Sequence, residues 1–214
     1  MMKKLDERNK ELAKILFSLK QSIDSEKLLG LNADNINTIG IGKRFFVHIQ
    51  MVLLESCVIN ICKIFEPEKD YQLNSIPAIL NFIKSNDVQP KYYEYVNEFI
   101  EKYENNSEKD NYIETLEVIC KNFYSKHKIC FSQYDYVRNK VIAHAEYQAK
   151  RNSLPSHAVM KELLLFGSDF YYMISRAFLD VGPHLIHNDR QAFSSLCNIF
   201  EKLGYKNIKI NFDK

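Results

Sequence analysis

Apolar residues along this chain recur at helical spacing and seldom alternate. Leu5, Leu12, Ile15, Leu16, Leu19 and Ile23 fall near three- and four-residue intervals, which predicts a helix over about residues 2–29 that stops at Gly30. Asn32 to Gly42 reads as a polar, glycine-bearing connector. The stretch 43–65 is apolar almost all round and ends before Pro67, the pattern of a helix central to a bundle or buried in a subunit interface.

After a loop from Pro67 to Asn74, Ser75 is placed to cap a short helix with Pro77 in its first turn. A helix follows Pro90 and runs to about Glu104, and the polar break Asn105-Asn106-Ser107 leads into another from Tyr112 to about Lys126. The next spans about Ser132 to Gln148 and is closed by Arg151-Asn152-Ser153-Leu154-Pro155. Two more helices, about 156–181 and 189–203, are separated by Gly182-Pro183 and His184. The tail from Lys206 to Phe212 alternates in a strand-like way but is short, a tail or an edge. With no internal repeat, the pattern predicts one all-α domain over 1–214, an antiparallel helical bundle in which 206–214 is tail.

Composition narrows the class. A chain of 214 residues with 46% apolar and 26% charged residues is ordinary for a globular domain with a real core. The richest apolar stretch, Phe45 to Phe65, is interrupted by His48, Gln50, Glu55 and Asn60, so no uninterrupted run of membrane-span length is expected. The N-terminus carries charges of both signs with no apolar run behind it, unlike a signal peptide. Five scattered cysteines without CxxC spacing read as free thiols of a reducing, cytoplasmic compartment.

The net charge of +2 says little, but its distribution says more. From Lys121 to Arg151 seven basic residues stand against two acidic ones, while the segment from Glu94 to Glu117 is acidic. A local excess of +5 suits a polyanion such as RNA, and Lys128 and Lys140 lie within it. The alternative is two solvated faces on neighbouring helices. Inside the basic stretch runs Arg138-Asn139-Lys140-Val141-Ile142-Ala143-His144. Arginine holds a phosphate with a fork of donors, and histidine moves a proton near neutral pH. On a regular helix, however, residues six steps apart point about 120° away from each other. Arg138 must therefore curl back, the helix must be irregular, or a second subunit must complete the site. The simpler alternative is that Arg138 pairs with Asp135 and His144 is an ordinary helix residue.

The run R-N-K-x-x-A-H resembles the signature of the HEPN superfamily, an Arg and a His separated by four to six residues, and looks most like the abortive-infection AbiU-type branch. The resemblance is strongest over Phe45 to Phe65 and Phe131 to Gln148. It implies a HEPN-type bundle with extra helices and a homodimer whose motif-bearing helices face each other. It also implies RNA cleavage without metal or cofactor, leaving a 2′,3′-cyclic phosphate. In that scheme His144 exchanges the proton, Arg138 stabilises charge on the phosphate, and Asn139 orients the histidine or a phosphate oxygen. Lys140, Lys128, Tyr134 and Tyr136 are the expected RNA contacts. A non-catalytic RNA- or protein-binding module is the alternative. Some HEPN toxins carry a Tyr two residues after the His, which a partner antitoxin modifies. Here Tyr147 stands three residues on, so an antitoxin contact at that position competes with plain packing.

Other constellations are weaker. His48 and Glu55 share a helix face, but no Glu-x-x-His occurs to build a di-iron site. His184 and His187 beside Asp189 read as a polar helix entry in preference to a metal site. Gly40-Ile41-Gly42-Lys43-Arg44 only superficially resembles a phosphate loop, since Asn37 replaces its first Gly and no strand precedes it. The many tyrosines between Tyr92 and Tyr147, Tyr124 among them, read as core aromatics or as base-stacking surfaces.

Overall fold

Leu5, Leu12, Leu16, Leu19 and Ile23 are at most 1% exposed, so the predicted apolar stripe is the buried face of the first helix, α1 (Met2–Leu31). The computed structural model describes residues 1–68, 73–104, 111–139, 156–183 and 190–210. Toward its C-terminal end α1 is enclosed on every side, with Ser22, Ile23, Asp24, Ser25 and Glu26 all buried. It touches α2 (Ala33–Ile39), α3 (Lys43–Phe65), α4 (Ile76–Ser85), α8 (His157–Met173) and α9 (Gln191–Lys202). The fold is therefore all-α and built around α1, and no strand occurs among the described residues.

A polar seam sets the register of α1 against α3. Gln50 Nε2 donates to Glu26 Oε1 at 2.9 Å, Ser22 and Ser56 hydroxyls meet at 2.9 Å, and Asn60 Nδ2 donates to Ser18 Oγ at 3.2 Å. Residue numbers rise on one helix as they fall on the other, so the two run antiparallel. The polar interruptions Gln50 and Asn60 thus face the central helix. Helix α8 runs antiparallel to α1 on another side, with His157 on Glu26, Gly167 against Leu16 and Asn9 Nδ2 on Ser175 Oγ at 2.9 Å. α5 (Tyr93–Tyr103) and α6 (Tyr112–Lys126) pack outside α8 through Phe99, Tyr103, Phe123 and Phe166, and Phe123 and Phe166 stack with centroids 3.8 Å apart. A second, smaller core gathers Leu28, Leu29, Ile36, Phe46, Phe193, Phe200 and Tyr205.

Several expectations need correction. The connector Asn32 to Gly42 contains α2, in which Ile36 is the one buried side chain and Gly40 ends the helix in the left-handed conformation at φ 74°. α7 begins at Lys128 directly after His127, earlier than the expected Ser132, and ends as α-helix at Tyr136. Its continuation winds as a π-helix over 137–139. The helix from 157 also changes to π-helical winding, over Ile174–Leu179. The described part of the tail, 206–210, forms no strand; Asn32 holds it, donating to Lys209 O at 3.1 Å and accepting from Lys209 N at 2.9 Å.

The reading of Phe45–Phe65 as too interrupted for a membrane span is also corrected. By length and composition alone, α3 is long and apolar enough to cross a bilayer. Its C-terminal half is core, with Cys57, Val58, Ile61 and Ile64 fully buried. Its N-terminal half leaves Phe45, Val47, Met51 and Val52 uncovered, with Phe45 57% exposed.

Two outcomes follow from this packing. A Cβ at Gly167 would lie 2.7 Å from Leu16 Cδ2, a side chain with no free space around it. Gly167→Ala gains helix propensity worth up to about 1 kcal/mol but overpacks the α1–α8 contact at a cost of about 1–3 kcal/mol. Thermal unfolding should therefore show a lower Tm, and an unchanged or higher Tm would refute this close approach. The second concerns Glu26. Burial raises its carboxyl pKa, but the His157 and Gln50 hydrogen bonds and the His157 charge outweigh it and hold the group below its ordinary value. A depressed carboxyl contributes stability that is present above about pH 4.5 and is lost as pH falls through the folded pKa. In acid titrations followed by circular dichroism, Glu26→Gln should be less stable near neutrality and flatter in its acid limb than the wild type.

Candidate functional site

The end of α3 and the end of α7 meet at Arg138. Glu66 caps α3 with extended backbone at φ −67° and ψ 128°, as the following Pro67 favours. A carboxylate at a helix C-terminus faces the negative end of the helix dipole and is stabilised by a nearby cation. Arg138 supplies it, its Nη1 donating to Glu66 Oε2 at 2.9 Å. Nη2 lies 3.5 Å from Asp135 Oδ1 one turn earlier, and Nε donates to Asn139 Oδ1 at 3.1 Å. The expected Arg138–Asp135 pair is therefore present, and the nearer partner is Glu66.

Cys62, one turn before Glu66, directs its thiol toward Asp135 Oδ1 at 3.7 Å. Burial pushes the Cys62 thiol pKa up to about 12, the Arg138 charge pulls it the other way, and the two carboxylates add to the rise. It remains a neutral thiol and has no nucleophilic character at neutral pH. Cys57 and Cys120 are held up to about 12 by the same cause, and all five cysteines are free. Among the described residues no three His, Cys, Asp or Glu side chains gather as a group that could hold a metal ion.

The electrostatics of the cluster are mixed. One guanidinium stands between two carboxylates, and the Arg138 side chain is 28% exposed. The fork has five N–H groups, and the contacts above engage each nitrogen once. Among the described residues no further partner takes the remaining N–H groups of Nη1 and Nη2. Asn139 is exposed and spends its carbonyl on Arg138.

The expected RNA contacts do not form one surface. Lys128 and Tyr136 share an open depression of about 520 Å³ with Ile129, Ser132 and Gln133 on the outer face of α7. Arg138 is not part of it and turns instead to the end of α3. Tyr134 is a correction: it is 0% exposed, its hydroxyl is buried without a partner, and burial above all pushes its pKa upward. Positions two apart on a helix point about 200° away from each other, so Tyr134 and Tyr136 could not both face solvent. Phe131, Tyr134 and Val137 form the core stripe, and Tyr134 cannot stack on RNA without unfolding α7. Lys140, His144 and Tyr147 lie outside the described residues, as do His184, His187 and Asp189.

Sequence reasoning missed Glu66 and did not single Tyr124 out from the other tyrosines. Glu66 carried a signal, an acid at the last position before a helix-ending proline. Tyr124 is 41% exposed at the surface of α6, and its ring stacks on Phe131 of α7 with centroids 4.5 Å apart and planes 6° apart. Burial first, then the charge of Asp135, raise the pKa of its hydroxyl. The spacing from Tyr124 to Phe131 crosses a helix break that periodicity does not show.

Comparison with known proteins adds one match. The sequence model of the family HEPN_AbiU2, described as AbiU2, matches residues 39–166, from the start of α3 through the Arg138–His144 segment into α8. No curated protein and no solved structure matches significantly. A match over more than half of the sequence, spanning both helices that build the Arg138 cluster, is the conclusion this geometry leads to: the chain belongs to the AbiU2 family of HEPN domains.

Proposed function

We propose that this chain is a metal-independent HEPN-type endoribonuclease, acting in phage defence by abortive infection or as the toxin of a toxin–antitoxin pair. The observation that carries the reading is Arg138. It is fixed on two elements of a HEPN-family domain, at the point where the helix leaves α-geometry and immediately ahead of the segment bearing Lys140 and His144. π-turns inside helices are frequent at functional sites, and over 137–139 the chain leaves α-helical winding. RNA cleavage by the neighbouring 2′-hydroxyl needs a group to move the proton and a cation for the phosphate charge. His144 fits the first role and Arg138 the second. Asn139 keeps the guanidinium oriented and turns its NH2 outward.

A second copy of the chain is the partner this reading requires, because motif segments from two protomers complete the cleft. The uncovered apolar side chains Phe45, Val47, Met51 and Val52 support association, since an exposed apolar patch of this kind commonly marks an interaction surface. One observation favours a second reading, a non-catalytic HEPN module that binds RNA or protein. Two carboxylates already neutralise Arg138, which weakens it as a phosphate clamp.

Three experiments test the nuclease reading, the first of which separates it from the second reading. Purified wild type should cut single-stranded RNA in the presence of EDTA, and His144→Ala and Arg138→Ala should each lose about 10²- to 10⁴-fold in rate. Retained cutting by both variants sinks the nuclease, and an inert wild type that binds RNA with salt-sensitive affinity establishes the module. Glu66→Gln removes one neutralising charge from Arg138. It should raise RNA affinity while lowering stability by about 1 kcal/mol, as expected for a partly exposed pair; unchanged affinity would show that Arg138 does not meet the nucleic acid. Val52→Glu should convert a dimer to monomers in light scattering at micromolar concentration.

A further inference from the structure

Tyr134 is buried and Tyr136 faces the outer depression of α7, whereas Tyr124 stacks on Phe131 of α7 and feels the charge of Asp135, the partner of Arg138. We propose that Tyr124 is a stacking platform for an unpaired nucleobase, holding single-stranded RNA beside the Arg138 cluster; the proposal rests on the RNA reading above and specifies where that RNA lies. Three observations carry it. One ring face lies flat on Phe131 at 4.5 Å while the residue stays 41% exposed, so the side chain is not enclosed. Phe131 is itself fixed, packed on Phe65 at 5.0 Å, and Phe65 stacks toward Phe123, which lies on Phe166. The platform is the outermost ring of a column rooted in the main core, so little side-chain freedom is left to lose when a base stacks on it. Lastly, exposed Lys121 lies one turn before Tyr124 on the same face of α6. Aromatic faces interleaved with cations are the arrangement that holds single strands, with stacking supplying sequence-tolerant affinity and lysines following the backbone.

The disposition also bears on which nucleic acid fits. A base inside a duplex has both faces covered, so a lone exposed ring selects unpaired bases. The Asp135 carboxylate stands close by and accepts hydrogen bonds without donating any. It can accept from the N–H edge of a base, which orients the nucleotide with its base toward Tyr124.

The test uses the full chain carrying His144→Ala, so that RNA is bound without being cut, and a fluorescein-labelled single-stranded RNA with 5-iodouridine at successive positions. Tyr124→Ala should weaken binding about tenfold, the effect of one stacked base, Tyr124→Phe should bind as the parent does, and photocrosslinking should map to Tyr124. Tyr124→Leu, which keeps apolar cover over Phe131 but has no aromatic face, should bind like Tyr124→Ala; circular dichroism confirms that each variant is folded. RNA bound as tightly by the alanine and leucine variants as by the parent, or crosslinked elsewhere, overturns the platform and leaves the nuclease reading standing. A parent chain that binds no single-stranded RNA at low salt overturns both.

Discussion

Everything in this fold leans on the burial of one helix. α1 must satisfy α3 along one side and α8 along another, and the stretch Ser22 to Glu26 has no outward face left. Enclosure of that kind forbids unpartnered polar groups, since a buried donor or acceptor without a partner costs about 1–3 kcal/mol. The seam of Ser18, Ser22, Ser56, Asn60, Gln50 and Glu26 meets the constraint by pairing polar atoms across the two helices. Those pairs hold one register, because sliding α3 by a turn would strand each of them. The position of Glu66 at the end of α3 is thereby fixed, and with it the position of Arg138.

From that dependence the candidate site acquires its character. Arg138 is not a long side chain sweeping solvent; it is tied to α3 by Glu66 and to its own helix by Asp135 and Asn139. Such ties preorganise a cation and at the same time compete with any anion for it. A nuclease benefits from the first effect and suffers the second, whereas a binding module tolerates both. The balance between them decides the chemistry of this site more directly than the presence of the motif does.

The helical plan was legible because amphipathic spacing reports burial, and α3, α6 and α9 lie close to where their apolar patterns place them. Three features escaped for identifiable reasons. α2 is polar on most of its surface, so its single buried Ile36 gave no periodic signal. The π-helical windings at 137–139 and at Ile174–Leu179 leave hydrophobic spacing almost intact, so the apolar pattern does not reveal them. The choice between Tyr134 and Tyr136 was within reach of the sequence, because the 131, 134, 137 stripe was there to be counted. At the site, Arg138 with Asp135 could be read from local spacing. Glu66 and Tyr124 could not be brought to it without the tertiary fold, because they reach α7 from other helices.

The span shared with the AbiU2 family begins at residue 39 and ends at 166, whereas the helix at the centre of this molecule ends at Leu31. A fragment trimmed to the shared span would be a vault without its keystone. The inner faces of α3 and α8 would open to water, and α8 would be severed seven residues before Met173. The homologous segment is thus no autonomous folding unit in this protein, and any recombinant dissection or chimaera must carry the N-terminal helix with it.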